Sequence, residues 1–269
     1  PEQASYGCVN PADFKKIIGD LGNRPVMLCV QAANNETGFI QPLLPETIAE
    51  ARAFGGLAVC DAVQMARCCP SLLARTDADM LVIASHKIGG PQGVGALVLR
   101  DAALRCDAPL IRGGGQERGL RAGTQNVAAI AGFGAAAQEL MDRGGSENVA
   151  VAKLQERLEA ELLRLAPDAR IFCPGARRIP ITAFAIPGLA AETALIAFDL
   201  AGVALSSGSA CSSGKVKRSH VLAAMGVAPE IAGGALRVSL GWTSTEQDVA
   251  AFAVALGDIL ARIGRKTAV

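Results

Sequence analysis

Short apolar runs rich in valine, isoleucine and leucine alternate with helical patterns through the first half of the chain. The runs lie at residues 26–31, 57–60, 80–84 and 95–99, and a helical pattern near 44–54 separates the first two. Buried strands that alternate with helices are typical of a largely parallel sheet covered by helices. In open sheets of this kind, ligands bind beyond the carboxyl ends of the strands, so the residues that follow each run are candidates for chemistry.

The pattern changes after Gly144 and Gly145. A long amphipathic helix follows, and its apolar face is formed by Val151, Leu154, Leu158, Leu162 and Leu165. We therefore expect an α/β fold with two domains, a large domain at 1–143 and a smaller C-terminal α+β domain at 144–269. The smaller domain is expected to continue with a strand at 181–187, a helix from Glu192 to Gly202, a strand at 235–240 and a last helix.

That last helix carries a capping-box pattern. Ser244 is followed three residues later by Gln247, so we expect the helix to begin at Ser244.

The composition is that of a globular protein. Of 269 residues, 51% are hydrophobic and 19% are charged, so the chain can bury a sizeable core. The formal net charge of +1 gives no general attraction to nucleic acid or to an anionic membrane. Charged residues interrupt the apolar stretches before they reach the ~20 residues that a membrane span needs. We expect a soluble protein with small, neutral partners.

The cysteine usage indicates a reducing compartment. The eight cysteines are scattered, and the adjacent pair, Cys68 and Cys69, is poorly placed to form a disulfide. We therefore expect a cytoplasmic location. Five cysteines in or near apolar stretches are expected to be small core hydrophobes, namely Cys8, Cys29, Cys60, Cys106 and Cys173.

The last cysteine has different surroundings. Cys211 lies within nine consecutive small residues, 206–214, which can neither form a strong helix nor bury a core. This run predicts a mobile loop that presents a thiol. A thiol on a flexible arm suits chemistry that takes a sulfur atom at one place and delivers it at another.

Two strand ends carry the groups that pyridoxal phosphate requires. The strand at 80–84 runs directly into Ser85, His86 and Lys87, and the strand at 57–60 runs into Asp61. Lysine is costly to bury without a function. A lysine that forms a Schiff base, with an acid that keeps a pyridinium nitrogen protonated, is what this cofactor needs. Taken alone, a strand-end aspartate and lysine are more often structural.

Three further features are candidates for ligand binding. Asn35 follows the first strand, where it bonds the cofactor's ring oxygen or a substrate carboxylate, or simply forms a turn. The glycine-rich, basic segment 112–124 leads into a helix at Asn126 and forms either an anion site or an ordinary loop. Arg237 lies among apolar neighbours, which suits bidentate capture of a carboxylate; the alternative is an exposed edge-strand arginine. His220 lies at the start of a helical pattern and receives no role.

Six motifs occur in one order along the chain: NNETG, CDAVQ, SHKIGGPQGVGAL, RGGGQERGLRAGT, SSGSACSSG and ALRVSLG. Together they closely resemble the cysteine desulfurases of the NifS/IscS type, which are class V, fold type I pyridoxal-phosphate enzymes. The resemblance covers essentially the whole chain, and it is specific because independent motifs agree in order and approximate spacing. It implies a large domain with a mostly parallel sheet sandwiched by helices.

The resemblance implies a set of cofactor contacts. Lys87 matches the Schiff-base lysine, which also moves the substrate α-proton. Asp61 matches the partner of the pyridinium nitrogen, and Gln64 matches the residue that bonds the ring oxygen. His86 matches a phosphate contact, and Thr124 matches a phosphate ligand that is donated across the interface of a homodimer.

The remaining matches concern the substrate. Asn35 and Arg237 match the pair that holds the substrate carboxylate, and Asn35 also borders the cofactor. Cys211 matches the nucleophile that attacks the substrate sulfur, and relatives suggest that it transiently ligates iron with residues of a scaffold. Where many relatives have a phosphate-binding serine two positions before the histidine, this chain has Ala84, so we expect that contact to shift to Ser85.

The function that the resemblance implies is conversion of L-cysteine to L-alanine, with persulfide sulfur passed to an iron–sulfur scaffold or another acceptor protein. Two alternatives stay open: a related class V aminotransferase or lyase, and a non-catalytic fragment that binds a partner or metal through its cysteines. The family also has an N-terminal stretch with a phosphate-binding threonine and a ring-stacking histidine. No histidine precedes His86 here. We therefore expect a chain that lacks this segment and retains the cofactor weakly.

Overall fold

The computed structural model describes residues 7–70, 76–104, 108–143, 146–175, 178–207 and 219–264. The chain divides into two compact units. The N-terminal unit comprises Val9–Ala32 and Leu43–Gly145, and the C-terminal unit comprises Pro1–Cys8, Ala33–Pro42 and Ser146–Val269. The segment Ala33–Pro42, which the sequence places in the first domain, is thus grouped with the second half of the chain.

The N-terminal unit is built on a four-stranded sheet in the order β1-β2-β3-β4. Its strands are β1 (Met27–Gln31), β2 (Leu57–Asp61), β3 (Met80–Ala84) and β4 (Gly95–Leu99), and its helices include α1 (Pro11–Gly19), α2 (Leu44–Ala53) and α3 (Val127–Asp142). Strands β1, β2 and β3 are parallel, and β4 is antiparallel to β3. The predicted mostly parallel α/β sheet is confirmed.

The register of this sheet brings the strand ends to one edge. Gln31 of β1 lies opposite Asp61 of β2, and Asp61 lies opposite Val82 of β3. Because the three strands are parallel, the residues that follow each of them emerge at the same carboxyl edge. Gly95 begins β4 opposite Ala84, where a Cβ would lie only 2.6 Å from the Ile83 carbonyl oxygen. Glycine is therefore needed at this close approach.

The C-terminal unit holds an antiparallel sheet in the order β5-β6-β8-β7. Its strands are β5 (Arg170–Phe172), β6 (Ile181–Ala185), β7 (Ser206–Ser207) and β8 (Leu236–Ser239), and its helices are α4 (Ser146–Leu165), α5 (Ala191–Leu200), α6 (His220–Ala224), α7 (Pro229–Ala232) and α8 (Glu246–Arg262). All five residues of β6 are buried, which makes it the central strand of this unit's core.

The core of the C-terminal unit lies between this sheet and helices α4, α5 and α8. The predicted apolar face of α4 is buried, with Leu158 and Leu162 at 1% and 0% exposure. Phe198 stacks on Phe252 with ring centroids 5.5 Å apart, and Phe184 meets the same ring edge-on at 6.2 Å. Such aromatic pairs add to the stabilisation from apolar burial.

Two expectations about local structure are wrong by one or two residues. Ser206 and Ser207, which were expected to begin the cysteine loop, pair with β8 as strand β7, opposite Arg237 and Leu236. The last helix is capped by Thr245 and Asp248, whose side chains and backbone amides bond reciprocally. Ser244 instead accepts a hydrogen bond from the Gly241 amide, 2.8 Å away, so it is committed to the preceding turn.

The expectation for the cysteines holds for two of the described residues. Cys60 and Cys173 are buried, Cys8 is partly exposed and Cys29 is exposed. Cys29 lies on β1, whose side chains alternate between the two faces of the sheet, and its neighbours Leu28 and Val30 occupy the buried face. Cys106 lies outside the described residues. None of the helices in the described ranges has the length and apolar character needed to cross a bilayer.

Candidate cofactor and substrate sites

Asp61 is fixed at the carboxyl end of β2. The next amide, Ala62 N–H, donates to the Val82 carbonyl at 3.0 Å, and Val63 N–H turns back to donate to Asp61 Oδ1 at 3.0 Å. This Asx-type turn holds the carboxylate at the strand end, half-buried. Gln64 follows in the same turn and is also half-buried. Asp61 and Gln64 therefore both lie where β2 runs into the following turn.

Cys60 is the residue before this carboxylate, and its side chain is buried. Burial, followed by the negative charge of Asp61, raises the pKa of the Cys60 thiol to about 12. A thiol with such a pKa carries almost no thiolate at neutral pH, so Cys60 is unsuited to nucleophilic chemistry.

The turn after β3 presents Ser85, His86 and Lys87. It is a single 3₁₀ turn, held by Ser85 N–H donating to the Val94 carbonyl at 3.1 Å and by the Ser85 carbonyl accepting from Ile88 and Gly90 N–H at 3.0 Å each. Ser85 is buried, whereas His86 and Lys87 are exposed.

The exposure of Lys87 differs from the expectation of a lysine that follows a buried strand. Strand β3 is half-buried along its whole length. In a 3₁₀ turn, successive side chains point about 120° apart, so an inward Ser85 directs the next two side chains outward. Lys87 therefore projects from the carboxyl edge of the sheet with its amine accessible.

The Ser85 hydroxyl lacks a hydrogen-bond partner among the described residues, although it is fully buried. Helix α3 packs against this turn, since a Cβ at Gly132 would lie 2.6 Å from Pro91 and one at Gly90 would contact Ala136 and overlap the Ser85 hydroxyl. A buried hydroxyl without a partner is uncommon in native proteins. The exposed Lys87 and His86, beside the fixed carboxylate of Asp61 at the same sheet edge, are the donor set that fits pyridoxal phosphate, whereas the Ser85 hydroxyl would have to become accessible to meet its phosphate.

The glycine-rich segment 112–124 uses much of its hydrogen-bonding capacity internally. Gly123 N–H donates to the Gln116 side chain at 3.3 Å, and Asn126 caps α3 by accepting from Ala129 N–H at 3.2 Å. Arg121 donates to the Gly123 carbonyl at 2.9 Å. Within the segment, the Gly123 amide and the Arg121 guanidinium, which were expected to bind an anion, therefore already donate to protein acceptors. Thr124 is exposed, so its hydroxyl faces outward from the N-terminal unit.

The C-terminal unit brings Asn35 and Arg237 together. Arg237, on β8, donates from Nη1 to the backbone carbonyl of Asn35 at 2.9 Å, although the two residues are 202 positions apart. Both side chains are half-buried. The structure thus joins the two residues predicted to hold a substrate carboxylate, through the Asn35 backbone. The alternative of an exposed edge arginine is wrong, because β8 lies between β6 and β7.

Cys211, the predicted nucleophile, lies outside the described residues, as do residues 208–218 around it. Within the described ranges, no three histidine, cysteine, aspartate or glutamate side chains cluster closely enough to hold a metal ion.

Sequence reasoning missed one buried polar contact of the C-terminal unit. The Ser219 hydroxyl donates to Glu36, and both residues are buried. A serine before a short helical pattern is a recognisable capping signal, and Ser219 indeed caps α6. The pairing with Glu36 has no local signal, because 183 positions separate the two residues.

The fold and these strand-end residues define a class of protein. The chain belongs to the class-V aminotransferase family, whose profile matches residues 4–252. Members of this family are pyridoxal-phosphate enzymes. The crystal structure of a NifS-like protein from Rickettsia africae superimposes with a TM-score of 0.85 and 34% identity, over 96% of this chain and 68% of that one. The predicted fold type I architecture is confirmed.

Two relatives within the family are cysteine desulfurases. A cysteine desulfurase of Gluconacetobacter diazotrophicus is 43% identical over 232 residues, which are 85% of this chain and 57% of that protein. The cysteine desulfurase NifS of Azotobacter vinelandii is 37% identical over 239 residues, 88% of this chain and 58% of that protein. The chain thus spans a little under three fifths of the length of these relatives.

Proposed function

We propose that this chain carries the cofactor-binding, substrate-binding and sulfur-accepting residues of a cysteine desulfurase. The observation that carries the proposal is that β2, which ends at Asp61, and β3, which runs into Ser85–Lys87, are parallel neighbours with their carboxyl ends at one edge of the sheet. The relatives of this chain include cysteine desulfurases. Pyridoxal phosphate, when bound, supplies an electron sink that weakens the bond between Cβ and sulfur of L-cysteine.

The candidate site residues of the N-terminal unit each have a proposed role in holding that cofactor. Lys87 Nζ would hold the cofactor covalently, and the exposure of this side chain leaves the amine accessible. Asp61 keeps the pyridine nitrogen protonated, and its Asx turn fixes the carboxylate for this role. Gln64 bonds the ring oxygen. The hydroxyl of Ser85 and the ring of His86 bind the phosphate, and Ser85 has a buried hydroxyl for which a phosphate oxygen is a suitable acceptor.

The C-terminal unit supplies the substrate contacts. Arg237 binds the carboxylate of L-cysteine through its guanidinium, which the Asn35 carbonyl orients from the other side. The side-chain amide of Asn35 hydrogen-bonds the same carboxylate. Asn35 also lies beside the cofactor. The amine of Lys87 would accept the proton from the substrate Cα.

Cys211 accepts the sulfur atom. Its thiolate forms a sulfur–sulfur bond with the substrate while the bond between Cβ and sulfur breaks, and Cβ retains the electron pair and takes up a proton. The products are L-alanine and a persulfide on Cys211. The outer sulfur atom of this persulfide is then passed to an acceptor protein. An iron–sulfur scaffold is the proposed acceptor, with Cys211 as a transient iron ligand, because the relatives include NifS of Azotobacter vinelandii.

The proposed assembly is a cytoplasmic homodimer in which Thr124 reaches the phosphate of the partner's site. The exposure of Thr124 supports this assignment, since a residue that serves a second subunit must face outward.

The test is the release of alanine and sulfide from L-cysteine by the chain supplied with pyridoxal phosphate and a thiol reductant. We expect Cys211→Ser to lower sulfide release at least ~100-fold, because a hydroxyl cannot accept the sulfur. The matched control is Cys29→Ser, an exposed cysteine on β1, which should change the rate less than about twofold.

Two outcomes would contradict the proposal. Sulfide release that persists in Cys211→Ser would indicate a related lyase or aminotransferase. No product from the wild type, at a cofactor concentration that saturates its absorbance change, would indicate a chain without this activity.

A further inference from the structure

Glu36 is a buried carboxylate to which no role has been assigned above. It is 5% exposed, and within the described ranges its side chain has one hydrogen-bond partner, the hydroxyl of Ser219, and no ion pair. A buried carboxylate is costly unless hydrogen bonds or charges compensate it, so the bond from Ser219 fixes where the Glu36 side chain lies.

The Ser219 hydroxyl has a fixed direction. It accepts a hydrogen bond from Leu222 N–H at 3.0 Å, as the N-cap of α6, and it donates its own proton to Glu36. Ser219 is 3% exposed, so water does not compete for these bonds. Glu36 is therefore fastened to the start of α6. In the sequence, Ser219 directly follows the segment 208–218 that contains Cys211.

The backbone around Glu36 is a closed turn, defined here as the 34–39 turn. Asn34 Oδ1 accepts from Glu36 N–H at 2.9 Å and from Thr37 N–H at 3.0 Å. Gly38 N–H donates to the Asn34 carbonyl at 2.9 Å, and Asn34 N–H donates to the Phe39 carbonyl at 2.8 Å. Because these bonds make the turn stiff, a displacement of Glu36 would displace the rest of the turn with it.

Asn35 lies inside this turn, directly before Glu36. Its carbonyl accepts from Arg237 Nη1 at 2.9 Å. The peptide of Asn35 is therefore held between Arg237 on one side and the Glu36–Ser219 bond on the other. We propose that Glu36 is a positioning residue that, through Ser219, holds the 34–39 turn so that the Asn35 carbonyl orients Arg237 for the substrate carboxylate. The identity of that substrate rests on the proposed function, whereas the anchoring of the turn does not.

The first measurement is amide hydrogen exchange of the 34–39 turn, which needs neither cofactor nor substrate. We expect Glu36→Ala and Ser219→Ala each to speed exchange of the Thr37 and Gly38 amides about tenfold, because the turn loses its anchor. The double variant should exchange no faster than the single ones, since both changes remove the same bond. Asp248→Asn, which weakens the cap of α8, should speed exchange there and leave the turn unchanged.

The second measurement is the steady-state kinetics of the cofactor-loaded chain with L-cysteine. We expect Glu36→Ala to raise KM about tenfold while kcat stays within threefold, because carboxylate capture is lost and the later chemistry is not. Glu36→Gln should recover much of this loss, since its amide oxygen can accept from Ser219. Asp248→Asn should lower thermal stability with no change in KM.

Wild-type exchange rates in the turn of Glu36→Ala would overturn the anchoring. If Glu36→Ala speeds amide exchange in the turn but leaves KM unchanged, the link to the substrate carboxylate is overturned. A fall in kcat as large as the rise in KM would overturn it too. A wild type that releases no alanine would contradict the proposed function, and the exchange measurement would still decide whether Glu36 holds the turn.

Discussion

Ser85 is a proposed phosphate contact whose role a single substitution can test. Its hydroxyl is buried without a hydrogen-bond partner among the described residues, directly before the two side chains expected to meet the cofactor. In a chain without ligand, such a group lowers stability because its desolvation is not repaid. In a chain with a bound anion, the same group strengthens binding. The two effects have opposite signs, which allows them to be separated.

We therefore expect Ser85→Ala to leave the free energy of unfolding of the cofactor-free chain unchanged or to raise it by up to about 1 kcal/mol. The same change should weaken pyridoxal-phosphate binding about tenfold, measured by titration of the cofactor's absorbance. Thr245→Ala is the opposite control: it removes a helix cap, so it should cost about 1 kcal/mol and leave cofactor affinity unchanged. Equal cofactor affinity in Ser85→Ala and the wild type would contradict a phosphate role for Ser85.

The sequence predicts some site residues and misses others for a physical reason. The positions of Asp61 and Lys87 close to the ends of β2 and β3 could be predicted, because an apolar run marks where a strand ends and this is local information. The exposure of Lys87 was not predicted, because it depends on the 3₁₀ turn that places Ser85 inward. The Glu36–Ser219 bond was missed because it joins residues 183 positions apart.

At the scale of elements, a charged network ties together the edge of the N-terminal sheet opposite the candidate site. Arg52, near the end of α2, pairs with Asp77 and, at 2.9 Å, with Asp79; Arg100, after β4, also pairs with Asp77. Asp79 in addition accepts from Ala58 N–H at 2.8 Å. The network thus links α2 and β2 to the chain that enters β3, and it holds the parallel strands in register.

Asp79 makes this network sensitive to acid. Burial alone would raise the pKa of Asp79, but the Ala58 amide and the Arg52 guanidinium outweigh it and hold the pKa below its usual value. A carboxylate with a lowered folded-state pKa contributes stability that is fully present above its unfolded pKa, about 3.9, and is lost as the pH falls through the folded value.

We expect Asp79→Asn to lower the free energy of unfolding by about 1–2 kcal/mol at pH 7, because one side of a charge-assisted pair is lost. The difference from the wild type should shrink as the pH falls below about 4, measured by urea unfolding at several pH values. Asp101→Asn serves as the control and should have little effect at either pH, because this exposed carboxylate accepts a local amide bond from Ala103 and no other side-chain bond from the part of the chain that the structure describes. A difference that stays constant down to the lowest pH at which the chain folds would contradict this account of Asp79.

The elements themselves were largely predictable, and the exceptions follow from packing. The four strands of the N-terminal sheet agree with the apolar runs within one residue at each end. Strand β5 (Arg170–Phe172) was missed because three residues give too short a pattern to be recognised. The start of α8 was displaced by one residue, since both Ser244 and Thr245 can cap a helix and only the tertiary structure commits Ser244 to Gly241.

At the scale of the whole molecule, the two units divide the proposed chemistry between them. Asp61, Gln64, Ser85–Lys87 and Thr124 lie in the N-terminal unit, whereas Asn35 and Arg237 lie in the C-terminal unit. The segment Ala33–Pro42 explains how this arises: it follows β1 in the chain but belongs to the other unit. A segment that follows a strand therefore does not always belong to the same domain as the strand. Apolar periodicity alone cannot show that Ala33–Pro42 belongs to the other unit.

The central claim is that Lys87, at the sheet edge that also carries Asp61, holds the cofactor. The most direct test is to incubate the chain with pyridoxal phosphate, reduce it with borohydride and locate the modified lysine by peptide mass spectrometry. The account predicts modification of the peptide containing Lys87, its loss in Lys87→Ala and its retention in the control Lys15→Ala, at an exposed lysine of α1. Labelling spread evenly over the exposed lysines, or unchanged in Lys87→Ala, would contradict it.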